Sequence, residues 1–227
     1  MSGFQVQRCD DAEAASQLTA KTIAGLIAAA IAARGEAHFA CSGGNTPDRT
    51  YEILSDLLGD GEGVNLWLAD ERCVGPEDPQ ANSLLLEQTL KLPAATLHRV
   101  KGELGPDAAA ADYCEQLGDT RLDVALLGLG PDGHTASLFP GHPELEVTGA
   151  RAIPVVNSPK PPPERVSLSL PTLSEITDLV LLVTGSGKAD ALKLTLGEPG
   201  PQAPASLLPA DRMTLIADAA ALGESGD

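Results

Sequence analysis

The chain has 227 residues, 43% of them hydrophobic but only 3% aromatic, and carries 15 Lys+Arg against 32 Asp+Glu for a formal net charge of −17. That apolar content suffices for a full core built from Leu, Val, Ile and Ala, and the chain is read as one domain over residues 1–227. The acidity excludes nucleic acid and anionic membrane surfaces as partners, since both need a basic face. It also obliges any phosphorylated ligand to meet a local cluster of cations.

At the start of the chain Gln5, Gln7, Arg8, Asp10 and Asp11 interrupt any apolar run, so no signal peptide is read there. No run approaches ~20 apolar residues, so no membrane span is expected. Cys9, Cys41, Cys73 and Cys114 are widely spaced and form no Cys-x-x-Cys, which argues against a zinc knuckle or a thioredoxin-type pair. A cytoplasmic protein with reduced thiols is expected.

In chain order, residues 11–34 are Ala-rich, with Leu18, Ile23, Leu26, Ile27 and Ile31 at helical spacing, an Asp cap and Gly35 as a stop. Ala37–Cys41 predicts a strand. It runs into Ser42-Gly-Gly-Asn-Thr-Pro47, where Thr46 and Pro47 read as N-cap and first residue of a helix reaching Leu58. Val64–Ala69 predicts a strand ending in Asp70-Glu71-Arg72. A loop from Gly75 to Pro79 is followed by helices over Asn82–Leu90 and Pro106–Leu117. Val124–Leu127 is a buried strand that breaks into Gly128, Gly130 and Gly133. Ala152–Val156 and Arg165–Leu170 read as strands around a Pro-rich bend, and Asp178–Thr184 as a buried strand followed by Gly185-Ser-Gly-Lys188 and a helix to Leu196. Met213–Ala217 is the last strand. Strands alternating with helices predict an α/β fold, a Rossmann-like doubly wound, mostly parallel sheet with helices on both faces.

Four predicted strands end in chemistry-bearing loops: Cys41 into Ser42-Gly43-Gly44-Asn45-Thr46, Ala69 into Asp70-Glu71-Arg72, Leu127 into the loop with Asp132 and His134, and Thr184 into the loop with Lys188. A parallel sheet puts all four on its ligand-binding edge. Glycines before a helix let backbone N–H groups approach an oxyanion. Histidine titrates nearest neutrality and suits a general base. Asp70 and Arg72 suit proton handling and phosphate recognition.

Four other readings fail on the residues. Gly128-Leu-Gly-Pro-Asp-Gly133 matches G-x-G-x-x-G, but positions 147–150 are Val-Thr-Gly-Ala where a dinucleotide site needs an acid, and Asp132 inside the loop would repel a pyrophosphate. Gly185-Ser-Gly-Lys188 lacks the first glycine of a nucleotide loop, position 182 being Leu, and Ala189 stands where Ser or Thr is needed. His38, His98, His134 and His142 show no short metal-ligand spacing, and no G-x-S-x-G elbow is present.

Five blocks together resemble the 6-phosphogluconolactonase family: Ser42–Pro47, Trp67–Arg72, Leu126–Gly141, Arg165–Pro171 and Val183–Lys188. The resemblance implies hydrolysis of 6-phospho-D-glucono-1,5-lactone to 6-phosphogluconate in the oxidative pentose phosphate pathway. It also implies a fold shared with aminosugar-phosphate isomerases, and no metal or organic cofactor. Catalytic residues are then His134, Asp70 and Asp132, with either carboxylate able to orient the imidazole. Substrate and phosphate residues are Ser42, Gly43, Gly44, Asn45, Thr46, Arg72, Gly130, Arg165 and Lys188, and oxyanion donors come from Gly43–Asn45 or Gly130–Gly133. The partner is a small phosphosugar lactone, and the chain is expected as a monomer or weak homo-oligomer. The isomerases carry Tyr where this chain has Arg72 and a proton-shuttling Glu where it has Phe139. An isomerase/deaminase and a non-catalytic phosphosugar-binding protein are the alternatives.

Overall fold

The computed structural model describes residues 4–44 and 46–224, so Asn45 of the glycine loop lies outside the described residues. In chain order the elements are β1 (Gln5–Cys9), α1 (Ala12–Arg34), β2 (Ala37–Cys41), α2 (Asp48–Leu58), β3 (Val64–Leu68), β4 (Asp70–Arg72), α3 (Asn82–Thr89), β5 (Thr96–Leu97), α4 (Pro106–Leu117), β6 (Val124–Gly128), β7 (Ala152–Val155), β8 (Arg165–Leu168), α5 (Leu170–Glu175), β9 (Asp178–Val183), α6 (Ala189–Thr195) and β10 (Met213–Asp218).

Seven strands form one sheet in the order β1-β10-β9-β6-β2-β3-β5, every pair parallel. Val124–Leu127 of β6 and Leu179–Val183 of β9 are buried without a break. Successive strand residues point to opposite faces, so both faces of the sheet are covered there, which is why these strands read as continuous apolar runs. Each buried Leu or Val contributes about 1.5–3 kcal/mol relative to exposure.

Helix α1 begins where Asp11 accepts the Ala14 N–H and ends at Gly35 in the left-handed conformation, as the Asp and Gly signals predict. Its 23 residues satisfy the length and apolarity of a membrane span, which the sequence alone was not expected to offer. Yet Ala15, Thr19, Ala20, Ile23, Ile27 and Ala30 are buried, and the helix packs on α2 and on β10, β9, β6 and β2, as a core helix does. Helix α2 starts one residue later than the Thr46–Pro47 signal predicts. Pro47 is itself the cap residue, already helical at φ −81° and ψ −10°, with no side-chain capping bond.

Three strands escape the sequence pattern. β1 is an edge strand paired only with β10, and its exposed Gln5 and Val6 carry no alternation. β5 is two residues long. β4 is the polar Asp70–Arg72 segment itself, which pairs antiparallel with β8, and β8 pairs with β7. β7 and β8 stay out of the parallel sheet because their nine-residue connection (156–164) holds no helix, and a parallel crossover needs about a dozen residues or more. The small sheet grows from the carboxyl end of β3: Ala69 N–H donates to Cys41 O at 2.8 Å and Ala69 O accepts Leu168 N–H at 2.8 Å.

The chain leaves β2 toward β3 and β5, then returns to the other side of β2 for β6, β9 and β10. The β2/β6 boundary is therefore the switch point where open α/β sheets bind ligands. The ends of β9, β6, β2 and β3 stand side by side there.

Candidate active site

A cleft of about 330 Å³ opens at that switch point. Ser42, Gly43, Gly44 and Thr46 line it from β2, Asp70 and Arg72 from β4, Gly128, Gly130 and His134 from β6, Arg165 from β8, and Lys188 from the turn after β9. Residues up to 146 positions apart in sequence thus share one wall because parallel strands deliver their ends to one edge.

On the β2 side Tyr51 of α2 donates its hydroxyl to Ser42 O at 2.7 Å and fixes the start of the loop. A Cβ on Gly43 would lie 1.8 Å from Asn82 Oδ1, so only glycine fits between the loop and α3. The Gly43 and Gly44 N–H groups donate no hydrogen bond among the described residues. Ser42 Oγ is buried without a partner among them.

On the β6 side the turn closes on itself. Gly130 N–H donates to His134 O at 2.8 Å and Gly133 N–H to Gly130 O at 3.0 Å. Both are thereby withdrawn from the expected set of oxyanion donors, and Pro131 has no N–H to offer. The same closure brings His134 Nδ1 to 2.5 Å from Asp132 Oδ1. An ionised carboxylate only accepts, so Nδ1 carries the proton and Nε2 keeps its lone pair. Between the two carboxylates that sequence left open as orienters, Asp132 makes the contact. The imidazole packs on Phe139, ring centroids 4.7 Å apart, and keeps only 20% of its side chain exposed. That burial pushes its pKa below the ordinary 6.5, against the opposing pull of Asp132's hydrogen bond and charge and of the Asp70 charge. Burial works to raise Asp132, but the His134 hydrogen bond and charge, with Lys160, hold it below the usual carboxylate range.

Asp70 is buried and does different work. Its Oδ2 accepts Ser137 Oγ–H at 2.6 Å and lies 3.8 Å from Arg165 Nη1. Asn82 Nδ2 donates to its backbone oxygen at 2.8 Å. Glu71, its neighbour, turns to backbone instead. Its carboxylate accepts the N–H groups of Arg72 (2.7 Å), Asn82 (2.7 Å) and Ser83 (2.8 Å), so it caps α3. Burial is the main reason its pKa is raised, against those three bonds.

The cations divide into two kinds. Arg72 Nη1 donates to Gln80 O at 2.6 Å, while its Nε is buried without a partner among the described residues. Lys188 stands half-buried at the mouth, its pKa lowered by burial and then by the Lys160 charge. Arg165, buried at 4% exposure, grips backbone with Nε and Nη2, donating to Pro162 O at 3.1 Å, Pro161 O at 3.1 Å and Lys160 O at 3.2 Å, while Nη1 lines the cleft, donating to Ser137 Oγ at 3.4 Å and facing Asp70; the guanidinium lies 5.8 Å above the Phe139 ring. Sequence reasoning missed Lys160, whose Nζ lies 3.8 Å from Asp132 Oδ2. Its only sequence signal was a place in the Pro-rich bend. Among the described residues no group of three His, Cys, Asp or Glu is placed to hold a metal ion.

A neutral histidine held by a carboxylate, beside arginine and lysine at a switch point of an acidic α/β protein, defines a site for a small anionic molecule. The chain belongs to the family of glucosamine-6-phosphate isomerases/6-phosphogluconolactonase, whose model matches residues 10–217. A 6-phosphogluconolactonase of Streptomyces coelicolor is 34% identical over 221 residues, covering 86% of this chain and 84% of that one. The 6-phosphogluconolactonase of Mycobacterium tuberculosis is 36% identical over 200 residues, covering 80% and 81%. The crystal structure of a 6-phosphogluconolactonase from Shewanella baltica superposes with a TM-score of 0.85 at 27% identity, covering 95% of this chain and 97% of that chain.

Proposed function

We propose that this chain hydrolyses 6-phospho-D-glucono-1,5-lactone to 6-phosphogluconate, the lactone-opening step of the oxidative pentose phosphate pathway, with His134 as general base. The observation that carries the reading is His134, held by Asp132, lining the same cleft as Arg72 and Lys188.

His134 Nε2 takes a proton from a water molecule, whose oxygen attacks the C1 carbonyl. General-base help of this kind is worth about 10²–10⁴ in rate. Asp132 stabilises the imidazolium that forms. The Gly43 and Gly44 N–H groups receive the oxyanion, in preference to those of Gly130 and Gly133, which are bonded within their own turn. As the tetrahedral centre collapses, the C1–O5 bond breaks and the imidazolium returns its proton to O5. Arg72 and Lys188, which line the same cleft, hold the phosphate. Asp70 and Ser42 face sugar hydroxyls. These assignments are supported by the cleft lining and by the relatives' activity. Isomerisation of an aminosugar phosphate is disfavoured because the position of the isomerases' glutamate is filled by Phe139, 1% exposed and packed on His134.

The test supplies fresh 6-phosphogluconolactone and, separately, glucosamine 6-phosphate, subtracting spontaneous lactone opening. Only the lactone is consumed, and His134→Ala lowers kcat by about 10²–10⁴. Turnover of glucosamine 6-phosphate, or near-full lactonase activity in His134→Ala, overturns the reading.

A further inference from the structure

The bend between β7 and β8 is a built strap. One buried side chain gathers its carbonyls: Arg165 donates from Nε to Pro162 O at 3.1 Å and from Nη2 to Pro161 O at 3.1 Å and Lys160 O at 3.2 Å. Ser158 closes the turn from the other end. Its N–H donates to Pro163 O at 2.9 Å, its hydroxyl donates to Lys160 O at 2.9 Å and accepts the Lys160 N–H at 3.2 Å. Backbone held at this many points presents the Lys160 side chain from a fixed root. The ammonium sits 3.8 Å from Asp132 Oδ2, while Asp132 Oδ1 holds His134 Nδ1 at 2.5 Å.

We propose that Lys160 is a positioning residue of the reaction, anchoring the outer oxygen of Asp132 so that the inner one holds His134 with Nε2 toward the substrate. Arg165 serves the same chain of contacts by holding the strap. The inference rests on the reading of His134 as general base and adds to it the residues that fix that base. Other origins for the strap fit less well. A phosphate ligand would not need its ammonium next to a carboxylate, and a loop of no consequence would not command a buried guanidinium.

The charged groups facing His134 are Asp132 from its own loop, Asp70 from β4 and Lys160 from the strap, with Arg72, Arg165 and Lys188 in the same cleft. Of these, Lys160 repels a proton on His134 and favours the ionised form of Asp132. Neutralising it therefore loosens Asp132 and makes His134 easier to protonate.

The experiment compares wild type, Lys160→Gln and Lys160→Arg in the intact chain, measuring kcat, KM and the pH profile of kcat/KM with 6-phosphogluconolactone. Lys160→Gln is expected to lower kcat about tenfold, through a misplaced base, and to move the midpoint of the acid limb upward by about half a pH unit. Lys160→Arg restores the acid limb, because the charge returns. An unchanged acid limb, a rise confined to KM, or a failure of Lys160→Arg to restore the limb overturns the proposal. Wild-type activity that His134→Ala abolishes, with an unaltered Lys160→Gln, rejects the role of Lys160 alone. An inactive wild type, or an active His134→Ala, rejects the parent reading.

Discussion

Replacing Gly130 by alanine probes how tightly the base is held. An added Cβ would stand 2.0 Å from His134 Nδ1, 2.2 Å from its Cε1 and 2.5 Å from Asp132 Oδ1. Non-bonded carbon contacts settle at about 3.5–4.0 Å, so ring and carboxylate must move apart from the new methyl by more than an ångström. A misplacement of about 1 Å costs about 10²-fold, and a weakened charge-assisted hydrogen bond costs a further 1.5–3 kcal/mol at most, roughly. The expected result is a fall in kcat/KM of about 10²–10⁴. Gly130 is not among the glycines with positive φ, so alanine strains no backbone. The stability loss is about 1 kcal/mol, a fall in Tm of about 2–4 °C for a chain of this size. The assay follows acid release from fresh lactone near neutral pH, with a thermal melt on the same preparation. A Gly130→Ala variant that melts like wild type and keeps kcat/KM within about threefold refutes the claim that this close approach sets the base.

Lys188→Ala is expected to raise KM about 10–100-fold with kcat nearly intact, since one charge-assisted contact to phosphate is worth about 1.5–3 kcal/mol; a loss confined to kcat contradicts a phosphate role. The acid limb of kcat/KM is expected to fall below pH 6.5, because burial lowers the His134 pKa from that ordinary value. The base is then neutral and active above its own pKa and is lost only as pH drops through it. A limb above 6.5 in the wild type contradicts a buried, neutral His134.

Much of the site was legible because its signals are local. The glycines after Leu127, the His134–Asp132 spacing and the strand ends read at Cys41, Ala69 and Thr184 (the last two observed one residue earlier, at Leu68 and Val183) all lie within a few residues of the apolar runs that announce them. Asp11 and Gly35 marked the ends of α1 for the same reason. Elements without periodicity stayed hidden. β4 is three polar residues whose strand character comes from pairing with β8, almost a hundred positions away. Glu71 stands between Asp70 and Arg72 in the sequence with no local sign of its partners. Its role as the cap of α3 depends on Asn82 and Ser83 arriving in space.

The sequence by itself determined the α/β class, the order of the blocks, the placing of His134 and Asp132 at a strand end, and the need for local cations around any anionic ligand in a chain of −17. These follow from composition, period and short motifs. The tertiary structure decided which carboxylate holds His134, which glycine N–H groups are bonded within their own turn, that Arg165 grips backbone, and that Lys160 stands beside Asp132. The physical reason is range. A buried polar group must satisfy its bonds with whatever the fold brings within about 3 Å, and most of those partners lie far off along the chain.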